Sequence, residues 1–307
     1  MFHQKERSEY IMSIKVILDT DIGSDVDDAV CLAYLLAQPD CELLGITTVS
    51  GEVYKRAMLA SVLCKAADKK IPIFPGCEEP LFVAQKQKYA PQAEVLQKWE
   101  HDKDFPKEEA IEFMRQTIYK HPGEIVLLTI GPLTNIAMLF KKDSKIPSLL
   151  KGLVMMCGVF TTHQPSAPAI EWNITCDPHA ADIVYNSDVS VHRSIGLDVT
   201  IEVVMGIKQF KERFHSGLLK PVSDFAEVWF RQTDKTTFHD PLAAATIFDE
   251  KICVFKKGIV EVELSDEKLR GTTRWTPDVP DKRHEVALEV DSSRFFEHYF
   301  SVFSKLT

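Results

Sequence analysis

The chain alternates short β-branched runs with stretches of helical hydrophobic spacing, and this alternation constrains its fold more than any other feature. Residues 14–18 (IKVIL) and 43–49 (LLGITTV) are typical of buried strands, and residues 27–38 between them have helical spacing and acids in their first turn. A second helix over residues 52–68 and a third strand at 71–74 continue the pattern. Strand–helix–strand units of this kind predict a parallel sheet covered by helices.

The remainder of the chain extends this pattern. Further strands are predicted at residues 125–130, 153–156 and 189–197, helices at 107–120, 133–140 and 178–185, and mostly helical structure at 206–250. Near the C-terminus, residues 254–264 and 286–290 alternate like antiparallel strands, and residues 294–303 form an amphipathic helix. The stretch 75–106 is polar and too long for an ordinary connection, which is typical of a functional loop.

These elements predict the fold class. We expect one α/β domain over residues 14–307, with a mixed, largely parallel central sheet flanked by helices. Residues 1–13 are expected to form a flexible N-terminal extension, because the first organised element begins near residue 14.

The composition limits the partners of such a domain. The formal net charge is −9, which argues against a surface that binds nucleic acid or anionic lipid. No apolar stretch approaches the length of a membrane span, and the seven cysteines are unclustered, which predicts reduced thiols. We therefore expect a cytoplasmic protein with a small-molecule ligand and with no nucleic-acid or membrane partner.

Five carboxylates in ten residues follow the first predicted strand. They are Asp19, Asp21, Asp25, Asp27 and Asp28, in the segment DTDIGSDVDD. Charges this close repel one another unless solvent, a helix N-terminus or a cation compensates them. A solvated acidic turn would explain an arbitrary pair of acids, but this cluster lies where α/β sheets bind ligands. Carboxylates without Cys or His ligands favour Ca²⁺ or Mg²⁺ over zinc.

Other acidic and catalytic motifs fail on spacing. An EF-hand loop beginning at Asp19 would need Glu at its twelfth position, which is Val30. The Asp-x-Asp of haloacid dehalogenase phosphatases is followed by Thr or Val where this chain has Gly23. A P-loop, GxGxxG, HExxH and GxSxG are absent from the sequence. The cluster therefore matches none of these common sites.

Six motifs in order resemble the nucleoside hydrolases, the inosine/uridine-preferring N-ribohydrolase family. That family begins with Asp-x-Asp-x-Gly-x-Asp-Asp, and this chain has the motif lengthened by two residues before Asp27 and Asp28. The other matching segments are TTVSG at 47–51, GPLTN at 131–135, EWN at 171–173 with the following Asp177-Pro178, LDVT at 197–200 and HDPL at 239–242. The resemblance spans nearly the whole chain and implies that family's Rossmann-like fold.

The resemblance also implies an activity and a set of site residues. The activity is hydrolysis of the N-glycosidic bond of ribonucleosides to ribose and free nucleobase, by a Ca²⁺-bound water that an Asp activates. Carboxylates around a sugar can activate water and stabilise an oxocarbenium-like transition state. The implied metal ligands are Asp21, Asp28, the carbonyl of Ile130 and Asp240, with Ca²⁺ favoured over Mg²⁺. The implied catalytic residues are Asp21 as general base and His239 as the group that assists the leaving base. The implied substrate-binding residues are Asp27, Glu52, Glu171, Asn173 and Asp240. The family also implies a homo-oligomer, either a dimer or a tetramer.

The chain departs from the family in several places. Glu52 stands where the family has Asn or Asp, Pro165 is nearest to an expected Asn, Cys157-Gly158 replaces Gly-Gly, and the loop 75–106 lacks a recognisable His-Gly. Asp25 lies in the two extra residues and could take the role given to Asp27 if the register slips. The altered groups lie on the base and 5′ sides, so the base preference is left open.

Two alternative functions are left open, of which the departures at Glu52 and Pro165 favour the first and the acidic cluster allows the second. The first is a non-catalytic nucleoside- or ribose-binding protein with the same fold, and the second is a metal-dependent phosphohydrolase, which lacks a recognisable phosphate cradle. Among neighbouring residues, Asp19 is expected to fix the turn, Asn135 to cap or brace its helix and Asp198 to support the site. Trp172 is expected to belong to the core.

Overall fold

Strand β1 (Ile14–Thr20) alternates its side chains between two apolar cores in the computed structural model, which describes residues 13–161, 164, 166–279 and 284–305. Val16 and Leu18 belong to one core and Ile17 to the other. Because side chains of a strand point to opposite faces in turn, a strand that is apolar throughout needs cover on both faces. The predicted sheet between two helical layers follows from this.

Ten further strands follow β1 in the described part of the chain. They are β2 (Cys41–Thr48), β3 (Ile73–Pro75), β4 (Ile125–Thr129), β5 (Gly152–Met156), β6 (His192–Ile195), β7 (Val204–Gly206), β8 (Lys235–Thr237), β9 (Cys253–Val262), β10 (Thr273–Pro277) and β11 (His284–Val290). Nine strands form one sheet in the order β10-β9-β11-β6-β5-β4-β1-β2-β3, and β7 and β8 form a separate antiparallel pair. Along the sheet from β3 through β2, β1, β4, β5 and β6 to β11, every neighbouring pair is parallel. Strand β9 is antiparallel to both β11 and β10.

Helices cover both faces of this sheet. They are α1 (Asp27–Ala37), α2 (Val53–Ala66), α3 (Ala110–Lys120), α4 (Thr134–Lys142), α5 (Ile146–Leu149), α6 (Trp172–Cys176), α7 (Pro178–Tyr185), α8 (Leu197–Thr200), α9 (Ile207–Arg213), α10 (Leu219–Trp229), α11 (His239–Phe248) and α12 (Ser292–Ser301). Short 3₁₀ helices occupy Pro91–Lys98, Glu250–Ile252 and Phe303–Lys305. Among the residues described, no helix is both long enough and apolar enough to cross a membrane.

The predicted α/β architecture with a mixed, largely parallel sheet is confirmed. Two details differ from the sequence expectation: β11 is parallel to β6 and antiparallel only to β9, and the short strands β7, β8 and β10 were not predicted. The predicted extension over residues 1–13 lies outside the described residues, apart from residue 13. All seven cysteines are free thiols, and five of them are buried.

Candidate active site

The sheet creates a crevice beside its first strand. From β1 the chain proceeds to β2 and β3 on one side and then returns to β4, β5 and β6 on the other, so the connections after β1 and β4 run in opposite directions. Such switch points are where open α/β sheets bind ligands. A cavity of about 650 Å³ opens there, lined by the loop after β1, the ends of β4 and β5, and the first turns of α1, α6 and α11.

The cavity brings together all but one of the residues predicted from sequence. Those that line it are Asp21, Asp27, Asp28, Ile130, Glu171, Asn173, His239 and Asp240, and Asp25 joins them. They come from four separate segments of the chain, so only the fold assembles them. The exception is Glu52.

Glu52 does not line the cavity, unlike the other residues predicted to bind the substrate. Ser50, Gly51 and Glu52 all have positive φ angles, of 68°, 44° and 41°. This left-handed turn directs the Glu52 carboxylate to the Lys55 ammonium at 2.5 Å and to the backbone N–H of Ala90 at 2.8 Å. Glu52 therefore anchors the long loop in this structure, and its position outside the cavity follows from the backbone conformation.

Asp21 is buried and held from three sides. The Gln87 side-chain N–H donates to Asp21 Oδ2, and the Arg56 guanidinium donates to the Asp21 backbone carbonyl. A Cβ at Gly131 would lie 2.7 Å from Asp21 Oδ1, so the absence of a side chain there makes room for the carboxylate. Burial raises the pKa of Asp21, while the Arg56 charge and the Gln87 N–H oppose that rise.

The other acids of the cluster raise one another's pKa. Burial and the charges of Asp21 and Asp25 raise the pKa of Asp28 well above its ordinary value, although Thr20 donates a hydrogen bond to it. Burial and the charge of Asp28 do the same to the pKa of Asp240. Asp28 and Asp240 lie in the first turns of α1 and α11, whose N-termini favour negative charge. The cluster still carries more negative charge than its surroundings offset.

A divalent cation would compensate this excess. Asp25, Asp27 and Asp28 each offer a carboxylate oxygen within 4.8 Å of the other two, the one such grouping found among the described His, Cys, Asp and Glu side chains. The set predicted from sequence shares only Asp28 with this grouping. Both sets consist of oxygen donors, which fit a hard cation such as Ca²⁺.

Glu171 and Asn173 also line the cavity, at the start of α6. The Glu171 carboxylate caps α6, accepting from the backbone N–H groups of Asn173 at 2.6 Å and Ile174 at 3.2 Å. Burial raises its pKa to about 7, and these N–H donors oppose the rise. The Asn173 side-chain N–H₂ donates to the carbonyls of Ile130 at 2.9 Å and Met156 at 3.1 Å. The ends of β4 and β5 thus fix the orientation of the Asn173 amide.

His239 lies at the start of α11 with its Nδ1 2.7 Å from Thr200 Oγ1. Burial lowers the pKa of His239 to about 4. The imidazole is therefore neutral at pH 7, and its contribution to a reaction would be a hydrogen bond from a neutral ring.

Sequence reasoning missed three residues of the site. Trp172, which was expected in the core, is 51% exposed and lines the cavity, so that prediction was wrong. Gln87 lies on the long loop and had no recognisable motif. Arg56 is completely buried on α2. The sequence signal that could have predicted its burial is its position on the same helical face as Val53 and Ala60.

Residues outside the cavity brace these groups. Asp19 Oδ1 accepts from Thr47 Oγ1 and from the Asn135 side-chain N–H, and Asn135 also accepts from the Cys77 backbone N–H at 2.8 Å. Asn135 therefore ties the ends of β1 and β3 together and does not cap its own helix. Asp198 accepts from the backbone N–H groups of Phe160 and Thr161, which supports the segment after β5. The departure at Pro165 lies outside the described residues.

The chain is similar in sequence and in fold to known proteins of one family. Residues 16–297 match the family described as inosine-uridine preferring nucleoside hydrolase. Uridine nucleosidase 1 of Arabidopsis thaliana is 31% identical, covering 81% of this chain and 78% of its own length. The inosine-uridine preferring nucleoside hydrolase of Leishmania major is 29% identical over 93% of this chain and 96% of its own. The structure of a purine-preferring ribonucleoside hydrolase from Gardnerella vaginalis superposes with a TM-score of 0.80 at 27% identity, covering 95% of this chain and 98% of that one.

Proposed function

The chain belongs to the inosine-uridine preferring nucleoside hydrolase family and is a hydrolase of N-glycosyl compounds, and from this premise we propose how its own residues act. The reaction is hydrolysis of a ribonucleoside to ribose and the free nucleobase. The observation that carries the proposal is the convergence of eight residues predicted from sequence, from four segments, on one cavity at the sheet's switch point.

Asp21 is proposed as the general base. Its carboxylate lines the cavity, accepts a hydrogen bond from Gln87 and occupies the room left by the missing side chain of Gly131. From this position it would take a proton from a water that attacks C1′. The neighbouring carboxylates favour the positive charge that develops on the ribosyl ring as the bond to the base breaks.

The sugar hydroxyls are proposed to bind Asp27, Glu171, Asn173 and Asp240. A carboxylate accepts about four hydrogen bonds, so Glu171 retains acceptor capacity beyond its backbone partners. Both donors of the Asn173 amide are used on carbonyls, which leaves its oxygen to accept from a hydroxyl. A buried site built in this way discriminates strongly against a substrate that lacks one hydroxyl.

A Ca²⁺ ion is proposed to be held by Asp21, Asp28, the Ile130 carbonyl and Asp240. When bound, it would acidify the attacking water and hold the sugar hydroxyls. The Ile130 carbonyl already accepts from Asn173 at 2.9 Å, and its second lone pair leaves it able to bind a cation as well.

His239 is proposed to assist the departing base as a neutral hydrogen-bond donor. Its low pKa excludes a stored proton at neutral pH, so the ring would donate its N–H to the base as charge develops there. The contact with Thr200 holds the ring in one orientation.

The test is release of ribose from a panel of ribonucleosides by wild type and Asp21→Asn, with Ca²⁺ and with chelator. We expect turnover that is lost both in the variant and in chelator, and a kcat/KM for uridine far above that for deoxyuridine. Uridine and inosine head the panel because the relatives' names include both. Nucleoside binding without any turnover would instead show a binding protein, and equal use of deoxyuridine would refute the hydroxyl contacts.

The two candidate ligand sets are separated by calorimetric titration with Ca²⁺. Asp240→Asn should weaken binding by about tenfold or more, because a charged ligand is lost, whereas Asp25→Asn should have little effect. The reverse order of the two variants would assign the ion to Asp25, Asp27 and Asp28.

A further inference from the structure

A segment of the long loop, residues 85–92, forms a fixed wall of the cavity, and we call it the wall segment. Its Ala90 N–H donates to Glu52 at 2.8 Å, its Gln92 N–H donates to the Gly23 carbonyl at 3.1 Å, and its Tyr89 carbonyl accepts from Arg56 at 3.3 Å. These bonds fasten the wall segment to the acidic loop and to the turn after β2. Its side chains are therefore part of the site in this structure.

Gln87 is the wall residue whose side chain contacts the Asp21 carboxylate. Its side chain is buried, its amide N–H donates to Asp21 Oδ2, and its amide oxygen accepts from the Trp172 indole N–H at 2.5 Å. An ionised carboxylate only accepts and an indole only donates, so a single orientation of the amide satisfies both partners. The backbone N–H of Gln87 donates to Gln85 Oε1 at 2.8 Å, which fixes the residue's own position.

The two partners of Gln87 belong to different segments that line the cavity. Asp21 follows β1 and is the proposed general base, while Trp172 begins α6 and is 51% exposed at the cavity. Apart from Gln87, no described side chain is hydrogen-bonded to the Trp172 indole N–H. The glutamine is thus the hydrogen-bonded connection between a reacting group and a substrate-facing aromatic ring.

We propose that Gln87 is a positioning residue that links Trp172 to Asp21, so that one amide orients both side chains for the substrate. The inference rests on the proposed function, because it assigns the positioning of the same general base. It goes beyond that function in giving the loop 75–106 a defined role in the site. A change at Trp172 would then alter Asp21 through the amide, and a change at Asp21 would alter the indole.

The kinetic test compares Gln87→Met, Trp172→Phe and the double variant with wild type. Methionine keeps the length and removes both hydrogen bonds, whereas phenylalanine removes only the indole donor. We expect Gln87→Met to lower kcat about tenfold or more, since a buried bond to a charged group is lost. Trp172→Phe should raise KM and also lower kcat, by a smaller factor, since Asp21 keeps its bond to an amide that has lost its second partner. The double variant should lose less than the product of the single losses, because the residues act as a unit. Gln97→Met is the matched control, since Gln97 is exposed and bonds only to the Glu94 carbonyl of its own 3₁₀ helix.

A spectroscopic test does not depend on turnover. Trp172 emission is obtained as the difference between each protein and its Trp172→Phe counterpart, in chelator. Asp21→Asn should shift this emission when residue 87 is Gln and leave it unchanged when residue 87 is Met.

The outcomes separate the two proposals. A wild type that hydrolyses no nucleoside refutes the proposed function, and the emission experiment then still decides the linkage. Emission that responds equally to Asp21→Asn in both backgrounds, or a Gln87→Met enzyme with the kcat and KM of wild type, would overturn the role of Gln87.

Discussion

At the scale of single residues, Gly131 shows how a missing side chain shapes the site. A Cβ at this position would lie 2.7 Å from Asp21 Oδ1 and 2.9 Å from Val49 Cγ1, and both distances are shorter than a Cβ allows to a non-bonded atom. The φ angle of Gly131 is not positive, so the constraint is space and not backbone conformation. The residue is needed because a reacting carboxylate occupies the volume beside it.

We therefore predict that Gly131→Ala displaces the Asp21 carboxylate while the fold is retained. A misplacement of about 1 Å can cost about 10²-fold in rate, so kcat should fall by that order while far-ultraviolet circular dichroism is unchanged. Gly206→Ala is the control, because a Cβ there meets nothing within 4 Å. Wild-type kcat in Gly131→Ala would contradict the packing argument.

Arg56 is the buried cation of an acidic site. Among the described residues, no carboxylate contacts its guanidinium directly. Its partners are backbone carbonyls and one hydroxyl, which belong to Ser50, Gly51, Asp21, Ile22, Tyr89 and Ser24. Two of these carbonyls belong to the left-handed turn at residues 50–52. Arg56 therefore stabilises a strained turn and offsets the charge of the cluster at the same time.

Replacing Arg56 by Met should destabilise the protein by about 3 kcal/mol or more, because buried carbonyls lose their donors and the acids lose a counter-charge. Urea unfolding measures this free energy. The control is Arg231→Met, since Arg231 pairs with Glu94 on the surface, and such pairs contribute about 1 kcal/mol or less. Equal destabilisation in the two variants would show that Arg56 has no special structural role.

At the scale of elements, the regular α/β units were predictable and the irregular ones were not. Strand β1 and helix α1 are long, strongly patterned segments, and their local preference agrees with their burial. The strands β7 and β8 have three residues each, and so short a run carries no periodic signal. Strand β11 has the alternating pattern expected of an antiparallel strand, but its parallel pairing with β6 is decided by tertiary contacts.

The candidate site was predictable to the same extent. The predicted residues that follow parallel strands line one cavity as expected, because the ends of those strands share one edge of the sheet. Gln87 on the long loop and Arg56 on α2 each contribute a single side chain. Neither belongs to a motif with a defined spacing, so the sequence pattern did not predict their role in the site. Trp172 was misplaced because aromatic residues are more often buried, whereas the short helix α6 turns this ring toward the cavity.

Helix α7 depends on one carboxylate that also holds its neighbours. Asp177 accepts from the Ala180 N–H at 3.0 Å, from Thr134 Oγ1 at 2.8 Å and from the Leu81 N–H at 2.9 Å. It therefore caps α7, contacts α4 and fixes the start of the long loop.

Asp177→Ala should lower the free energy of unfolding by about 2–3 kcal/mol, since a cap and two further bonds to a buried carboxylate are lost. It should also speed proteolytic cleavage near Leu81, because the loop loses its anchor. Asp182→Ala, later in the same helix, removes only a local contact with Asn186 and should change neither measurement. An Asp177→Ala protein as stable as wild type would refute the capping argument.

At the scale of the whole molecule, a histidine pair in the sheet connects stability to pH. His192 on β6 is completely buried, and within the described residues neither of its ring nitrogens has a hydrogen-bond partner. Its ring lies 4.6 Å from that of His284 on β11 and stacks on Tyr185 at 5.4 Å. Burial and the His284 charge lower the pKa of His192 well below its ordinary value of 6.5.

The sign of the pH effect follows from proton linkage. The folded protein keeps His192 neutral, whereas the unfolded chain binds a proton there below about pH 6.5. Lowering the pH below 6.5 therefore favours the unfolded state, and the contribution of this residue reaches about 1.4 kcal/mol per pH unit. Above pH 7 both states are neutral at this position, and the contribution vanishes.

His192→Phe should remove the contribution of this residue to the pH dependence of the unfolding free energy. Phenylalanine preserves the stacked ring and has no nitrogen to leave unpaired, so stability at pH 7.5 should be equal or higher. Between pH 6 and 5, the difference in unfolding free energy between variant and wild type should grow by about 1.4 kcal/mol. Urea unfolding at several pH values measures this difference, in which the other titrating groups, including the acids of the site, cancel because both proteins share them. A difference that stays constant with pH would mean that His192 takes up its proton equally in the folded and unfolded states, which would contradict the lowered pKa.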